Sequence, residues 1–168
     1  IRVNGLKNKV LKARIPSLGD QKITFIQKGL LLHVQGPVRE PVGYDSVVEL
    51  EVEGEVQAEN GFCGEINFGG IQMGQAKAVL TGGVERATGT DVTGVGYISP
   101  TSIRKWNSMN SRASWKVYMP EEGERELTIC YSCDSLSAGQ PYWVEVEGAG
   151  MIEAKTLAGP KGFEEFYT

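Results

Sequence analysis

Three kinds of residue in this chain have the type and spacing for chemistry. Carboxylates come in pairs at Glu121 with Glu122, Glu145 with Glu147 and Glu164 with Glu165, and a carboxylate pair is what glycoside hydrolysis uses for acid, base and nucleophile. That reaction needs the two groups across a cleft, about 5 to 9 Å apart, with one of them in an apolar pocket. Glu145 and Glu147 instead alternate with Val144 and Val146, which puts them on the outward face of a strand, where solvated charge is the ordinary outcome. The single histidine, His33, alternates with Leu32 and Val34 and so points away from the apolar face. With one histidine and no G-x-S-x-G, the chain lacks the parts of a Ser-His-Asp hydrolase. Cys130 and Cys133 form one C-x-x-C, with no second such pair to complete a zinc site, and read as structural. The glycine-rich TGGVERATGTDVTGVG lacks the GK[ST] of a phosphate loop and reads as turns.

The third kind is the aromatic platform. Sugars offer apolar C–H faces and hydroxyl edges, so a sugar site needs an exposed ring flanked by hydrogen-bonding side chains. Trp143 fits, because it shares a strand face with Glu145 and Glu147, opposite Tyr142, Val144 and Val146. Trp106 fits in another way, lying in SIRKWNSMNSR among Arg104, Lys105, Asn107 and Arg112. The candidate carbohydrate-binding set is therefore Trp106, Trp143, Arg104, Asn107, Glu145 and Arg112, with Tyr97 and Tyr118 as lesser platforms. Each indole has a structural alternative: a covering loop or domain for Trp143, a plug at a sandwich end for Trp106. Trp115 reads as core.

The elements that would position these residues are strands. From Ala113 to Gly148 three alternating runs follow one another. Trp115, Val117 and Met119 share a face in the first, which Pro120 stops; Leu127, Ile129 and Tyr131 share one in the second; Tyr142, Val144 and Val146 share one in the third. Apart from Met119, these residues, with Val48, Leu50 and Val52 earlier in the chain, are the expected core. Glycine and proline supply 29 of the 168 residues, and no window shows capped helical spacing. The expected fold is all-β, an antiparallel β-sandwich or jelly roll in two small sandwich-like units.

The last segment resembles the carbohydrate-binding-type, galactose-binding-like jelly roll attached behind the catalytic domain of bacterial glycoside hydrolases. The matching residues are Trp115, Val117, Pro120, Gly123, Leu127 and Tyr131, then Val144-Glu145-Val146 and Gly148, with Arg125 or Glu126 where that family usually has Tyr. Ala76 to Tyr97 is similar to the same module's opening strand. Residues 1 to about 56, through VNGLKNKVLKARI, KITFIQKGLLLHVQGP and DSVVELEVEG, resemble the last strands of the small β-sandwich that follows the barrel of α-L-fucosidases. The resemblance implies a partial sandwich over 1–56, a Gly-rich connector over 57–74 and a carbohydrate-binding-type sandwich over 75–168. It also implies a non-catalytic accessory region of a secreted or periplasmic glycoside hydrolase, because the fucosidase carboxylates belong to a barrel that this chain does not contain. Modules of this kind often hold a structural calcium; Glu59, Asp91 and Asp134 are residues of the right type, but no spacing is diagnostic and no cofactor is assigned. The rival reading is a protein-interaction or adhesion module.

The net charge of −4 argues against nucleic acid and anionic membrane as partners. Residues 1 to 28 hold seven basic residues against one acidic, and residues 59 to 168 hold nine against fourteen, which reads as two solvated surfaces of opposite sign. The longest apolar run, Gly29 to Leu32, is too short for a membrane span or a signal sequence. Three cysteines leave at least one thiol free within the chain. Both ends fall where a sandwich still owes strands, so the chain reads as a fragment, or as one whose missing pairing is supplied by its own first piece or by a second copy.

Overall fold

The computed structural model describes residues 1–18, 23–36, 47–66, 70–87, 92–93, 96–97 and 102–157. The fold is all-β and mostly antiparallel, with no α-helix among the described residues. Contacts gather the chain into two compact units. One is Ile1–Gly89 with Ser99–Glu122, the other Thr90–Ile98 with Gly123–Thr168. These boundaries fall at other residues than the three segments expected from the sequence.

The first unit begins with β1 (Arg2–Asn4), β2 (Val10–Arg14), β3 (Thr24–Lys28), β4 (Leu31–Gln35) and β5 (Glu49–Val52). β1, β4 and β3 form one sheet in that order, and β2 pairs with β5 in another, with a register shift between Val10 and Lys12. Lys28 opposite Leu31 leaves Gly29 and Leu30 as a two-residue hairpin loop. Gly29 has φ 55°, and a Cβ there would fall on the Tyr118 hydroxyl, so only glycine fits. The two sheets enclose Val10, Ala13, Leu32 and Val34, with Val3, Leu6, Ile23, Phe25, Val48, Leu50 and Val52 packed around them. Val48, Leu50 and Val52 thus face the core as expected. A side chain also ties the layers: the Val10 N–H donates to Gln27 Oε1 at 2.9 Å, and Gln27 Nε2 donates to the Asn8 carbonyl at 2.8 Å.

The rest of this unit is β6 (Phe62–Cys63), β7 (Val79–Thr81), β8 (Glu85–Arg86), β11 (Ile103–Arg104), β12 (Arg112–Ser114) and β13 (Lys116–Val117), with β9 (Val92–Thr93) and β10 (Gly96–Tyr97) of the second unit falling between β8 and β11. The glycine-rich stretch expected to link two bodies holds β6, which runs parallel to β13 and buries Phe62 and Cys63. The Phe62 and Tyr118 rings lie 5.7 Å apart, and the half-buried Trp115 donates its indole N–H to the Gly74 carbonyl at 2.9 Å.

In the second unit β9 pairs with β10, and β14 (Pro141–Val146) pairs with β15 (Gly150–Lys155) through a three-residue loop in which Gly148 has φ 79°. Tyr142 and Val144 of β14 face the same way as Ile152 and Ala154 of β15. With Leu127, Ile129 and Tyr131 they line an open apolar groove of about 380 Å³. Two expectations are corrected here. Leu127 to Tyr131 is not a strand: Tyr131, at its end, makes only an isolated bridge, although the alternation survives and turns all three apolar side chains to the groove. Nor is the expected core closed. Leu127 and Val146 are 45% and 50% exposed, and Tyr131, Tyr142 and Val144 are half-buried. Met119 of the first run, in the first unit, is exposed as well.

Candidate functional site

The most built-up candidate surface lies at one end of the first unit. β11 pairs with β8, setting Arg104 opposite Glu85, and β12 pairs with β7, setting Arg112 opposite Thr81. The short connection from β7 to β8 and the loop 105–111 from β11 to β12 therefore emerge together. They touch through backbone. Gly82, at φ 73°, has the Asn110 carbonyl where a Cβ would stand, and Ser111 Oγ donates to the Gly82 carbonyl at 3.2 Å. Loop bonds from Ser111 N–H to the Ser108 carbonyl at 2.9 Å and from Asn107 N–H to the Lys105 carbonyl at 3.0 Å hold the loop's shape.

Lys105 makes the turn. Its φ of 63° is the one positive value at a non-glycine residue among the described residues, a conformation that costs on the order of 1 kcal/mol or more. The reversal brings two cations to one carboxylate: Lys105 Nζ lies 2.8 Å from Glu85 Oε1, and Arg104 Nη2 lies 3.4 Å from Oε2. The Lys105 hydrogen bond, with the charges of Lys105 and Arg104, holds the Glu85 carboxyl below the usual carboxylate range. Trp106 follows, 53% exposed, with its indole N–H donated to the Ile103 carbonyl at 3.0 Å. Because that donor is already used, the ring offers its face, a surface for stacking against apolar C–H groups. Asn107 and Arg112 are exposed, one next to it in the chain and the other at the loop's far end. Four of the six expected binding residues, Arg104, Trp106, Asn107 and Arg112, thus share one loop and its base.

The other two, Trp143 and Glu145, belong to the second unit. They occupy the face of β14 opposite the apolar groove, with Trp143 across from Glu153 and Glu145 across from Met151. The indole is 43% exposed and sits between carboxylates on its own strand and the neighbouring one. Tyr118, a lesser platform, is half-buried against Phe62 and accepts a long hydrogen bond from the Leu30 N–H, so it serves packing. The side chain of Tyr97 lies outside the described residues.

A groove of about 310 Å³ on the outer face of β1, β4 and β3 has no counterpart in the sequence pattern. Arg2, His33 and Ile26 lie side by side across the three strands, and Glu65, Pro120 and Glu121 close the rim. Arg2 pairs with Glu65 at 2.9 Å, and Lys28 pairs with Glu121. Glu121, considered above as half of a carboxylate pair with Glu122, is thus engaged by a lysine from 93 residues away, a pairing that no local pattern announces. Glu145 and Glu147 are exposed, and Glu164 and Glu165 lie outside the described residues.

Two of the residues considered for calcium have other partners. Glu59 meets Lys116 at 2.5 Å and Lys7 at 3.5 Å, which lowers its carboxyl, and Asp134 Oδ1 accepts the Ser137 N–H at 2.8 Å. Asp91 is outside the described residues. Cys63, Cys130 and Cys133 are free thiols, Cys130 exposed and the others buried. Burial pushes the Cys63 thiol up. No family model, no curated protein and no solved structure matches this chain.

Proposed function

We propose that this chain is a non-catalytic accessory region of a larger, secreted or periplasmic glycoside hydrolase, and that it binds carbohydrate. The observation that carries the reading is Trp106: an exposed indole whose N–H is already satisfied, fixed at a backbone reversal, with charged and amide side chains on the residues to either side. A rigid aromatic face with hydrogen-bonding groups around it suits the C–H face and hydroxyl edge of a pyranose. The resemblance of the sequence to glycoside hydrolase modules, and to the fucosidase sandwich in particular, supports the parent enzyme. Affinity electrophoresis of the chain in gels containing polysaccharides, comparing the parent with Trp106→Ala and Trp143→Ala, tests it. Retardation that depends on one indole supports the reading, and none in any gel removes it.

A second reading has its own support. The groove of the second unit is apolar, and Leu127, Ile152 and Leu157 on it stay exposed, a surface suited to packing on protein. On this reading the second unit docks on the catalytic domain of the parent enzyme, while sugar binding stays with the first unit. β15, which among the described residues pairs only with β14, is also an edge on which two copies could meet.

A further inference from the structure

We propose that the outer face of the β14–β15 hairpin is a second sugar platform, one that takes amino sugars bearing an ammonium; the inference rests on the carbohydrate reading above and adds the class of sugar at Trp143. Register carries it. Trp143 stands opposite Glu153 and Glu145 stands opposite Met151, so four neighbouring positions hold an indole and a thioether on one diagonal and two carboxylates on the other. Directly opposite residues in a sheet have Cβ atoms about 5 Å apart and diagonal ones about 7 Å, which puts both carboxylates within side-chain reach of a ligand on the indole. All four side chains are exposed, Met151 the most apolar area of them at 65%. Neither Glu145 nor Glu153 forms an ion pair among the described residues. From Pro141 to Lys155 the chain holds three glutamates and one lysine. That lysine, Lys155, lies opposite Pro141 at the open end of the hairpin and lines the apolar groove, while the third glutamate, Glu147, is exposed just past Val146.

This combination selects the occupant. A neutral pyranose would stack on the indole but draw two unpaired carboxylates partly out of water, which costs free energy. A simple cation would satisfy the carboxylates and leave the indole and the thioether bare. An amino sugar does both: its C–H face lies on the ring, and its ammonium directs three N–H donors at the glutamates. Its charge also offsets the repulsion between the two carboxylates, the complementarity that favours a cationic ligand over a neutral one of the same shape.

The test is calorimetric titration of the full chain at about pH 6, with the sugar amines protonated, using three probes: the glucosamine tetramer of chitosan, its fully N-acetylated counterpart, and tetralysine. Acetylation keeps the ring C–H faces and removes the charge, whereas tetralysine keeps the charge and has no sugar ring. The expected result is binding of the glucosamine tetramer at least about tenfold tighter than either other probe at about 50 mM salt, with the gap between the two sugars closing as salt rises to roughly 0.5 M, where charges are screened within a few ångströms. Among the indole N–H signals in NMR spectra, that of Trp143 should shift on binding. Glu145→Gln with Glu153→Gln should abolish the preference while the acetylated tetramer binds as before. The salt series on the unaltered chain decides the matter even if that variant folds poorly. Equal affinity for the two sugars, or a shift confined to Trp106, would overturn the inference and leave the carbohydrate reading standing. Tetralysine bound as tightly as the glucosamine tetramer would overturn it in favour of a basic peptide as the occupant. No binding of the glucosamine tetramer by a chain that polysaccharide gels still retard would remove this inference alone, and no binding of any sugar or polysaccharide would remove both.

Discussion

Lys105 and Glu85 meet at 2.8 Å across the β8–β11 pair, the lysine in a left-handed backbone conformation and the glutamate in a strand. The contact sits where the chain reverses, immediately before Trp106, so it ties the indole's position to the sheet. Removing the carboxylate should free the loop without unfolding the unit. Glu85→Ala is expected to leave the melting temperature nearly unchanged, since exposed ion pairs contribute little, and to broaden the Trp106 indole N–H signal in NMR spectra. A sharp, unshifted indole resonance would mean that the loop's own hydrogen bonds suffice.

Gly82 supports the same loop from beneath. Its φ of 73° is unfavourable for any side chain, and the Asn110 carbonyl occupies the Cβ position. Gly82→Ala should cost about 2 kcal/mol or more, through backbone strain and displacement of residues 108–111. Thermal denaturation reads the cost directly. A variant as stable as the parent would contradict the described approach of the two turns.

The two units should respond differently to core truncation. Leu32 is 1% exposed in the enclosed core of the first unit, and Leu32→Ala should cost about 2 to 5 kcal/mol. Leu127, at 45% exposed on an open groove, should cost less than about 1 kcal/mol on the same change, because little apolar surface returns to water. Chemical denaturation of both variants compares them. Equal losses would mean that the groove of the second unit is covered in solution.

Alternation explains how much of this was legible. Tyr142, Trp143 and Val144 announce the two faces of β14, and the structure keeps them; Leu127, Ile129 and Tyr131 announce a common face and keep it without becoming a strand. Alternation reports which side chains point together, whereas a strand also needs a neighbouring backbone, and that is a long-range property. The same limit hid β6. Phe62 and Cys63 stand among glycines and look like a connector, yet they pair with Lys116 and Val117, far along the chain. In the candidate surface, the polar surroundings of Trp106 were readable because they are its neighbours in sequence. Glu85, which anchors them, reaches the loop only through strand pairing.

Acid should loosen the first unit. The Lys116 hydrogen bond and charge, helped by Lys7, hold Glu59 below the usual carboxylate range. A carboxyl lowered by folding stabilises the native state above its unfolded pKa of about 4.3, and this contribution disappears as pH falls through the lower folded value. The melting temperature should therefore decline as pH drops below that of an ordinary glutamate, and Glu59→Gln should flatten the decline. Identical acid profiles for parent and variant would show that the Glu59 pairs are too screened to matter.

The central claim is that Trp106 is the sugar platform, and the direct measurement is the glycan affinity of Trp106→Ala beside that of the parent chain, with circular dichroism checking the fold of both. Loss of a stacking residue at a binding centre costs on the order of 2 kcal/mol, about thirtyfold in affinity. Trp106→Ala should show that loss with its spectrum retained. Unchanged affinity in a folded Trp106→Ala would contradict the claim and return the exposed indole to a purely structural role.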